Sequence, residues 1–160
     1  MEPEDLDVLY RIENDAELWN VGVTNVPYSR FMLHDYIAHA TGDIYADKQV
    51  RLIIEAGCGD VVGLVDLINF DPRHLRAEIG IVVEKRQRRL GYAIEALRLL
   101  LNYARQTLHL HQLYVVIAAD NQASLALFGK MAFKQSATLS QWLFDGTAYH
   151  DAVLLQYVFA

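Results

Sequence analysis

The sequence predicts a mixed α/β domain of the α+β class, organised around one β-α-β-α core. Three observations predict it. The first forty residues carry apolar side chains at helical spacing. From residue 50 the period changes to that of strands, with turn residues between the runs. The strongest helical segment, GYAIEALRLLLNYARQTL, then lies between two short apolar runs of strand type. A chain of 160 residues, 53% apolar and 21% charged, suffices for one domain with a sizeable core. No repeat, low-complexity tract or Pro/Gly/Ser linker divides residues 1–160.

The elements follow in order. PEDLDVLYRIEND opens with Pro3 and acids, the polarity of a helix N-terminus, and Leu6, Leu9 and Tyr10 fall on one face. WNVGVTNVPYS reads as a loop. Ser29 caps a second helix whose apolar positions are Phe31, Met32, Tyr36 and Ile37. QVRLIIEAGCGDVVGLVDLINF forms two strands around a Gly-Cys-Gly-Asp turn. Asp71-Pro72-Arg73 is a second turn, and RAEIGIVVE a third strand. In the long helix that follows, Ala93, Leu97, Leu100, Leu101 and Ala104 share one face. QLYVVIAA is a short buried-type strand. NQASLALFGKM is a short helix with Asp120 or Asn121 as its cap. FKQSATLSQWLF and AYHDAVLLQYVF close the chain as a hairpin around Asp145-Gly146.

Composition excludes several function classes. The net charge of −6 argues against nucleic acid as a partner and suits a cationic one, such as an amine. No apolar run approaches the ~18 residues of a membrane span. The acidic start MEPEDLDVL has no signal-peptide core, so no membrane partner is expected and a cytoplasmic location is the default. Cys58 is alone, which excludes an intrachain disulfide and a cysteine metal cage; a reactive thiol and a plain turn residue both stay open. His109 and His111 lack a third ligand, and the preference of a helix C-terminus for cations accounts for them, so no metal is expected. Trp19 and Trp142 either border an amine site or pack. A homo-oligomer is compatible with the sequence.

One stretch stands apart from this acidic background. EKRQRRLGYA, Glu84 to Ala93, holds four of the fourteen Lys and Arg residues, between a strand end and a helix start. A helix N-terminus offers unpaired amides and partial positive charge, and so attracts phosphate. Gly91 lets a ligand approach closely or lets φ turn positive. Lys85, Arg86, Arg88 and Arg89 add long-range attraction for a polyanion. A solvated basic turn accounts for the charge; an anion site accounts for the charge, the glycine and the placement together. Neither GxxxxGKS nor a full GxGxxG is present, so another nucleotide is the weakest of the readings.

RRLGYA resembles the Arg/Gln-x-x-Gly-x-Gly/Ala motif of the GNAT acetyltransferase superfamily. AEIGIVV resembles the strand before that motif. Residues 113–133, with Asn121, Ser124 and FGKMAF, resemble the strand and helix after it. The similarity spans about residues 50–158, and more loosely 3–40. GLVDLINFDPRHLRAEIGI and FDGTAYHDAVLLQYVF are most similar to the branch of spermidine N-acetyltransferases and ribosomal-protein N-terminal acetyltransferases. The resemblance implies a GNAT-like acyl-CoA N-acyltransferase fold, with a central mixed sheet whose parallel strands splay apart. It implies acetyl-CoA as co-substrate. Ile81, Val82 and Val83 would run beside the pantetheine and acetyl carbonyl. Amides within Arg88, Arg89, Leu90, Gly91, Tyr92 and Ala93 would hold the pyrophosphate. Asn121 and Ser124 would line the other wall, with Phe128 near the sulfur.

The implied reaction is direct attack of a primary amine, from a small amine, a polyamine or a peptide N-terminus, on a thioester. A protonated amine has no lone pair, so its proton must go to a base. Glu78 matches a glutamate of the spermidine branch and is the base candidate; a plain outward-facing strand residue is the alternative. Glu55 is a weaker candidate. The Val83 N–H is the implied oxyanion donor. Two departures bear on activity. The family's acid is a tyrosine in the helix after the last parallel strand, where this chain has Phe128, which donates no proton. Tyr92, Tyr114 and Tyr149 carry hydroxyls that the sequence does not place at the sulfur. TNVPYSRFM also lacks the acids of the spermidine enzymes; Asp35 and Asp43 lie beyond it. The family's opening strand lies before an E-P-x-D-L segment, with which this sequence begins, so one sheet edge is expected to be uncovered. A non-catalytic acyl-CoA sensor is the alternative function.

Overall fold

A computed structural model describes residues 1–15 and 27–160. Much of WNVGVTNVPYS, including Trp19, lies outside the described residues. The helices are α1 (Leu6–Glu13), α2 (Arg30–His39), α3 (Ile44–Asp47), α4 (Tyr92–Gln106) and α5 (Gln122–Lys130). The strands are β1 (Val50–Glu55), β2 (Val61–Asp71), β3 (Arg76–Val83), β4 (Gln112–Ala118), β5 (Lys134–Phe144) and β6 (Tyr149–Val158). They form one six-stranded sheet in the order β1-β2-β3-β4-β6-β5. Only β3 and β4 pair in parallel; the other neighbours are antiparallel. This is the mixed sheet that the sequence predicts, with β1 at one edge.

Local chemistry explains the boundaries. A one-turn 3-10 helix, Pro3–Asp5, leads into α1, and the Asp5 carboxylate accepts from the Glu2 amide at 2.7 Å. The Ser29 hydroxyl accepts from Met32 N–H at 3.1 Å and starts α2. Asp71 Oδ1 accepts from the amides of Arg73 and His74, which fixes the turn between β2 and β3. Asp145 does the same for the last hairpin, accepting from Thr147 and Ala148.

The two faces of the sheet bury different sets. Leu9, Ile12 and Leu33, from α1 and α2, pack with Leu64, Ile53 and Val82. On the opposite face Ala96, Leu97, Leu100 and Ala104 of α4 and Phe128 of α5 cover Ile79, Leu113, Val115 and Ile117. Burial of a leucine such as Leu97 or Leu100 stabilises the fold by about 1.5–3 kcal/mol. On α2 the buried residue is Leu33, whereas Phe31 is 78% exposed and Met32 53%. The apolar face expected for this helix is therefore rotated: Tyr36 and Ile37 pack inward, Phe31 and Met32 outward. Arg51 ties α1 to the sheet. It donates to Glu13 at 2.5 Å and in bidentate fashion to Asp66 at 2.9 and 2.8 Å.

No helix among the described residues is long and apolar enough to cross a membrane. Among those residues no group of three His, Cys, Asp or Glu is placed to hold a metal.

Candidate active site

The site begins where the sheet opens. β3 and β4 pair only at Arg76↔Gln112, Ala77↔Leu113 and Glu78↔Tyr114. Beyond that point β3 stays with β2 up to Val83, and β4 stays with β6 up to Ala118. The two parallel strands thus separate, and each leaves backbone groups without a ladder partner on the inner side. Ladder groups of an antiparallel strand alternate between its two sides. Glu84 N–H donates to Val62 O at 2.9 Å, toward β2. Ile81 and Val83 therefore turn their peptide groups to the other side, into the gap. The Val83 carbonyl accepts from Arg88 Nε at 3.0 Å.

At the far end of the gap stands the N-terminus of α4. Gly91 precedes its first residue with φ 91° and ψ −8°, and no side chain caps the helix. A Cβ at Gly91 would meet no heavy atom within 4 Å. The space beside the loop is open, and the first-turn amides point outward, as they do at any helix start. Arg89 also adopts a positive φ of 65°, which bends the loop back on itself. Arg88, Arg89 and Leu90 are exposed, while Tyr92 and Ala93 are half-buried. A cleft of about 460 Å³ lies between α1 and the end of β3, with Lys85, Arg86 and Arg88 on its rim. Arg11 bridges it, pairing with Glu84 at 2.5 Å.

The remaining predicted residues are placed as follows. Asn121 caps α5, its Oδ1 accepting from Ser124 N–H at 3.0 Å, so Asn121 and not Asp120 is the cap. Phe128 is 1% exposed and stands edge-to-face on Phe133, with ring centres 5.1 Å apart. Its ring belongs to the core and offers a ligand almost no surface. Glu78 lies on the sheet face away from α4, and its Oε2 accepts from Asn69 Nδ2 at 2.8 Å. Glu78 and Val83 are five residues apart on one strand, a separation of about 17 Å. They do not converge on one reacting atom. Ile81, three residues from Glu78, offers its amide to the same gap and lies much nearer. Glu55 is exposed at the end of β1, and Trp142 and Tyr149 are exposed on the last hairpin. Cys58 is exposed, with its Sγ 3.2 Å from Asp60 Oδ2. Asp43 caps α3, donating nothing to the site, and Asp35 pairs with His39.

The sequence reading missed Gly63. A Cβ there would lie 2.2 Å from the carbonyl oxygen of Val82, so only glycine lets β2 and β3 approach this closely beside the gap. The signal was present as a lone glycine inside the apolar run VVGLVDL.

Comparison with known proteins agrees with this geometry. A family model described as an acetyltransferase (GNAT) domain matches residues 1–134. Spermidine N(1)-acetyltransferase of Escherichia coli strain K12 is 27% identical over 155 residues, which cover 96% of this chain and 80% of that one. A putative ribosomal N-acetyltransferase of Bacillus subtilis is 30% identical over 103 residues, 62% of this chain and 56% of that one. The crystal structure of spermidine N-acetyltransferase from Vibrio cholerae in complex with CoA and spermine superposes with a TM-score of 0.86. It is 24% identical, and the match covers 99% of this chain and 92% of that one. The family match over most of the chain, on a sheet that opens beside an uncapped helix start, shows that the chain belongs to the acetyltransferase (GNAT) domain family.

Proposed function

We propose that this chain transfers the acetyl group of acetyl-CoA to the primary amine of a small amine or polyamine. The observation that carries the reading is the parting of β3 and β4 after Glu78↔Tyr114, with the open Gly91 loop at its end. The residues present fit the donor. The Ile81 peptide groups and the Val83 N–H that face the gap suit the amides of a pantetheine arm. The amides from Arg88 to Ala93 suit a pyrophosphate, with Lys85, Arg86 and Arg89 steering it in. Asn121 and Ser124 form the opposite wall, and Phe128 packs behind it. When bound, acetyl-CoA supplies an activated acyl carbon.

The chain's own groups supply the rest. Glu78 accepts the ammonium proton through water, which frees the amine lone pair. The Ile81 N–H, in place of the Val83 N–H, stabilises the oxygen that gains negative charge. Phe128 gives no proton to the departing thiolate, so that proton comes from solvent or from the amine itself. The relatives named for spermidine, together with the net charge of −6, support a cationic acceptor. The ribosomal relative, which aligns with a smaller part of the chain, lends a peptide N-terminus weaker support.

A panel of primary amines, including spermidine, spermine and short peptides, tests the reading with acetyl-CoA and thiol detection. Thiol release with one or more amines is expected. Tight acetyl-CoA binding without turnover of any amine would favour the sensor alternative, for which the missing hydroxyl at Phe128 is the motive.

A further inference from the structure

The mouth of the gap holds an arrangement that neither the motif nor the family comparison assigns. Glu78 and Tyr114 are the last residues of β3 and β4 to face each other before the strands part. Both side chains lie on the face away from α4. On the other side of Glu78 the β2–β3 register shifts between Ile68 and Asp71. Asn69 sits in that irregularity with φ 51°, a left-handed conformation that asparagine tolerates better than most residues. The bulge turns its side chain across the strand, and Nδ2 donates to Glu78 Oε2 at 2.8 Å. Tyr114 faces the same residue across the β3–β4 pair. Burial, and then the charge of Glu78, pushes the Tyr114 hydroxyl above its ordinary value, so at neutral pH it remains a donor. The nearby Arg76 guanidinium is taken by Asp71 at 3.2 Å. Glu78 therefore has a neutral donor, Asn69, on one flank and faces the neutral Tyr114 phenol on the other.

We propose that Tyr114 and Asn69 are positioning residues that hold the Glu78 carboxylate at the mouth of the gap for deprotonation of the amine. Neutral donors orient the carboxylate and leave its negative charge uncancelled. A cation in the same place would pair with it and compete with the incoming ammonium. Tyr114 is thus a hydroxyl that works through Glu78 and does not replace the hydroxyl missing at Phe128.

The inference rests on Glu78 as the base, and a double-mutant cycle separates the two. The acceptor is the amine of the panel that is turned over fastest. Tyr114→Phe should lower kcat roughly tenfold, the rate equivalent of one hydrogen bond to a charged group, with KM for acetyl-CoA unchanged. In a Glu78→Gln background Tyr114→Phe should change kcat no further. Asn69→Gly, which keeps the left-handed backbone and deletes the amide, should reproduce the loss and carries the test if Tyr114→Phe fails to fold. Wild-type kcat in both variants, or a Tyr114→Phe effect that adds in full to that of Glu78→Gln, would overturn the positioning role alone. Full activity of Glu78→Gln, or turnover of no amine at all, would overturn the base assignment and this inference with it.

Discussion

Gly91→Ala separates the cost of a backbone conformation from the cost of a blocked ligand. Gly91 has φ 91°, where an L side chain is strained. Its Cβ direction is empty to 4 Å, so the added methyl meets nothing in the protein itself. The stability cost is therefore backbone strain alone, about 1–2 kcal/mol. For a domain of this size that corresponds to a fall of about 2–8 °C in Tm. Gly146, in the last hairpin, supplies a matched control: its φ is 97° and its Cβ direction is equally empty. Gly146→Ala should cost a similar amount by thermal melting. The two variants should differ in binding. If the pyrophosphate of acetyl-CoA lies against the loop, the methyl of Gly91→Ala fills the space it needs. Isothermal titration should then show affinity at least ~10-fold weaker, about 1.4 kcal/mol, while Gly146→Ala binds as wild type. Equal affinities in the two variants, with equal falls in Tm, would refute the placement of the anion at this loop.

Other perturbations have defined outcomes. Gly63→Ala forces the Val82 carbonyl, 2.2 Å from the new Cβ, to move. It should cost about 1–3 kcal/mol by urea denaturation and weaken acetyl-CoA binding as well, because the end of β3 shifts. Arg51→Met leaves Glu13 and Asp66 without their shared partner. It should cost about 3 kcal/mol, at the low end for a buried network because all three side chains keep some solvent contact. Burial works against the Arg51 charge, but Asp66 and Glu13 outweigh it and hold the guanidinium above its ordinary value, so the arginine stays charged and this loss should not vary between about pH 6 and 9. The Thr147 hydroxyl and the Ala148 amide, with His150, hold the Asp145 carboxylate well below its ordinary value. The group's contribution is thus present above the unfolded value near ~4 and is lost as pH falls through the folded one. A carbon-detected NMR titration should find Asp145 still ionised at about pH 3; protonation there near the ordinary value would contradict the turn geometry.

The sequence was informative where one residue dictates a local conformation. The caps Ser29 and Asn121, the turns at Asp71 and Asp145, the strand boundaries and the face of α4 all follow from side-chain chemistry within a few positions. Their hydrogen bonds are local, so the spacing records them. α3 escaped because four residues, Ile44–Asp47, carry no helical period. The buried face of α2 is not legible locally, because its apolar residues run nearly all round it and contact with α1 and β2 selects Leu33. At the site, the basic loop and Gly91 were legible, since a helix start and a glycine are local signals. The parting of β3 and β4 was not. It depends on β2 and β6 holding the two strands apart, which no segment encodes alone, and the resemblance supplied it. Strand geometry also shapes the proposal: Val83 stands about 17 Å from Glu78 along β3, so the proposed oxyanion donor is the nearer Ile81 N–H. Asn69 reaches Glu78 from β2 and Tyr114 faces it from β4, a placement that spacing in one strand cannot show.

The proposed function requires acetyl-CoA in the gap between β3 and β4, with its pyrophosphate at the start of α4. Mapping backbone amide shifts in a nitrogen–proton NMR spectrum during titration with acetyl-CoA tests it most directly. The largest shifts should fall on Ile81, Val83 and the amides from Arg88 to Ala93, with smaller ones at Asn121 and Ser124. Shifts confined to other surfaces, with those amides unmoved at saturation, would contradict it.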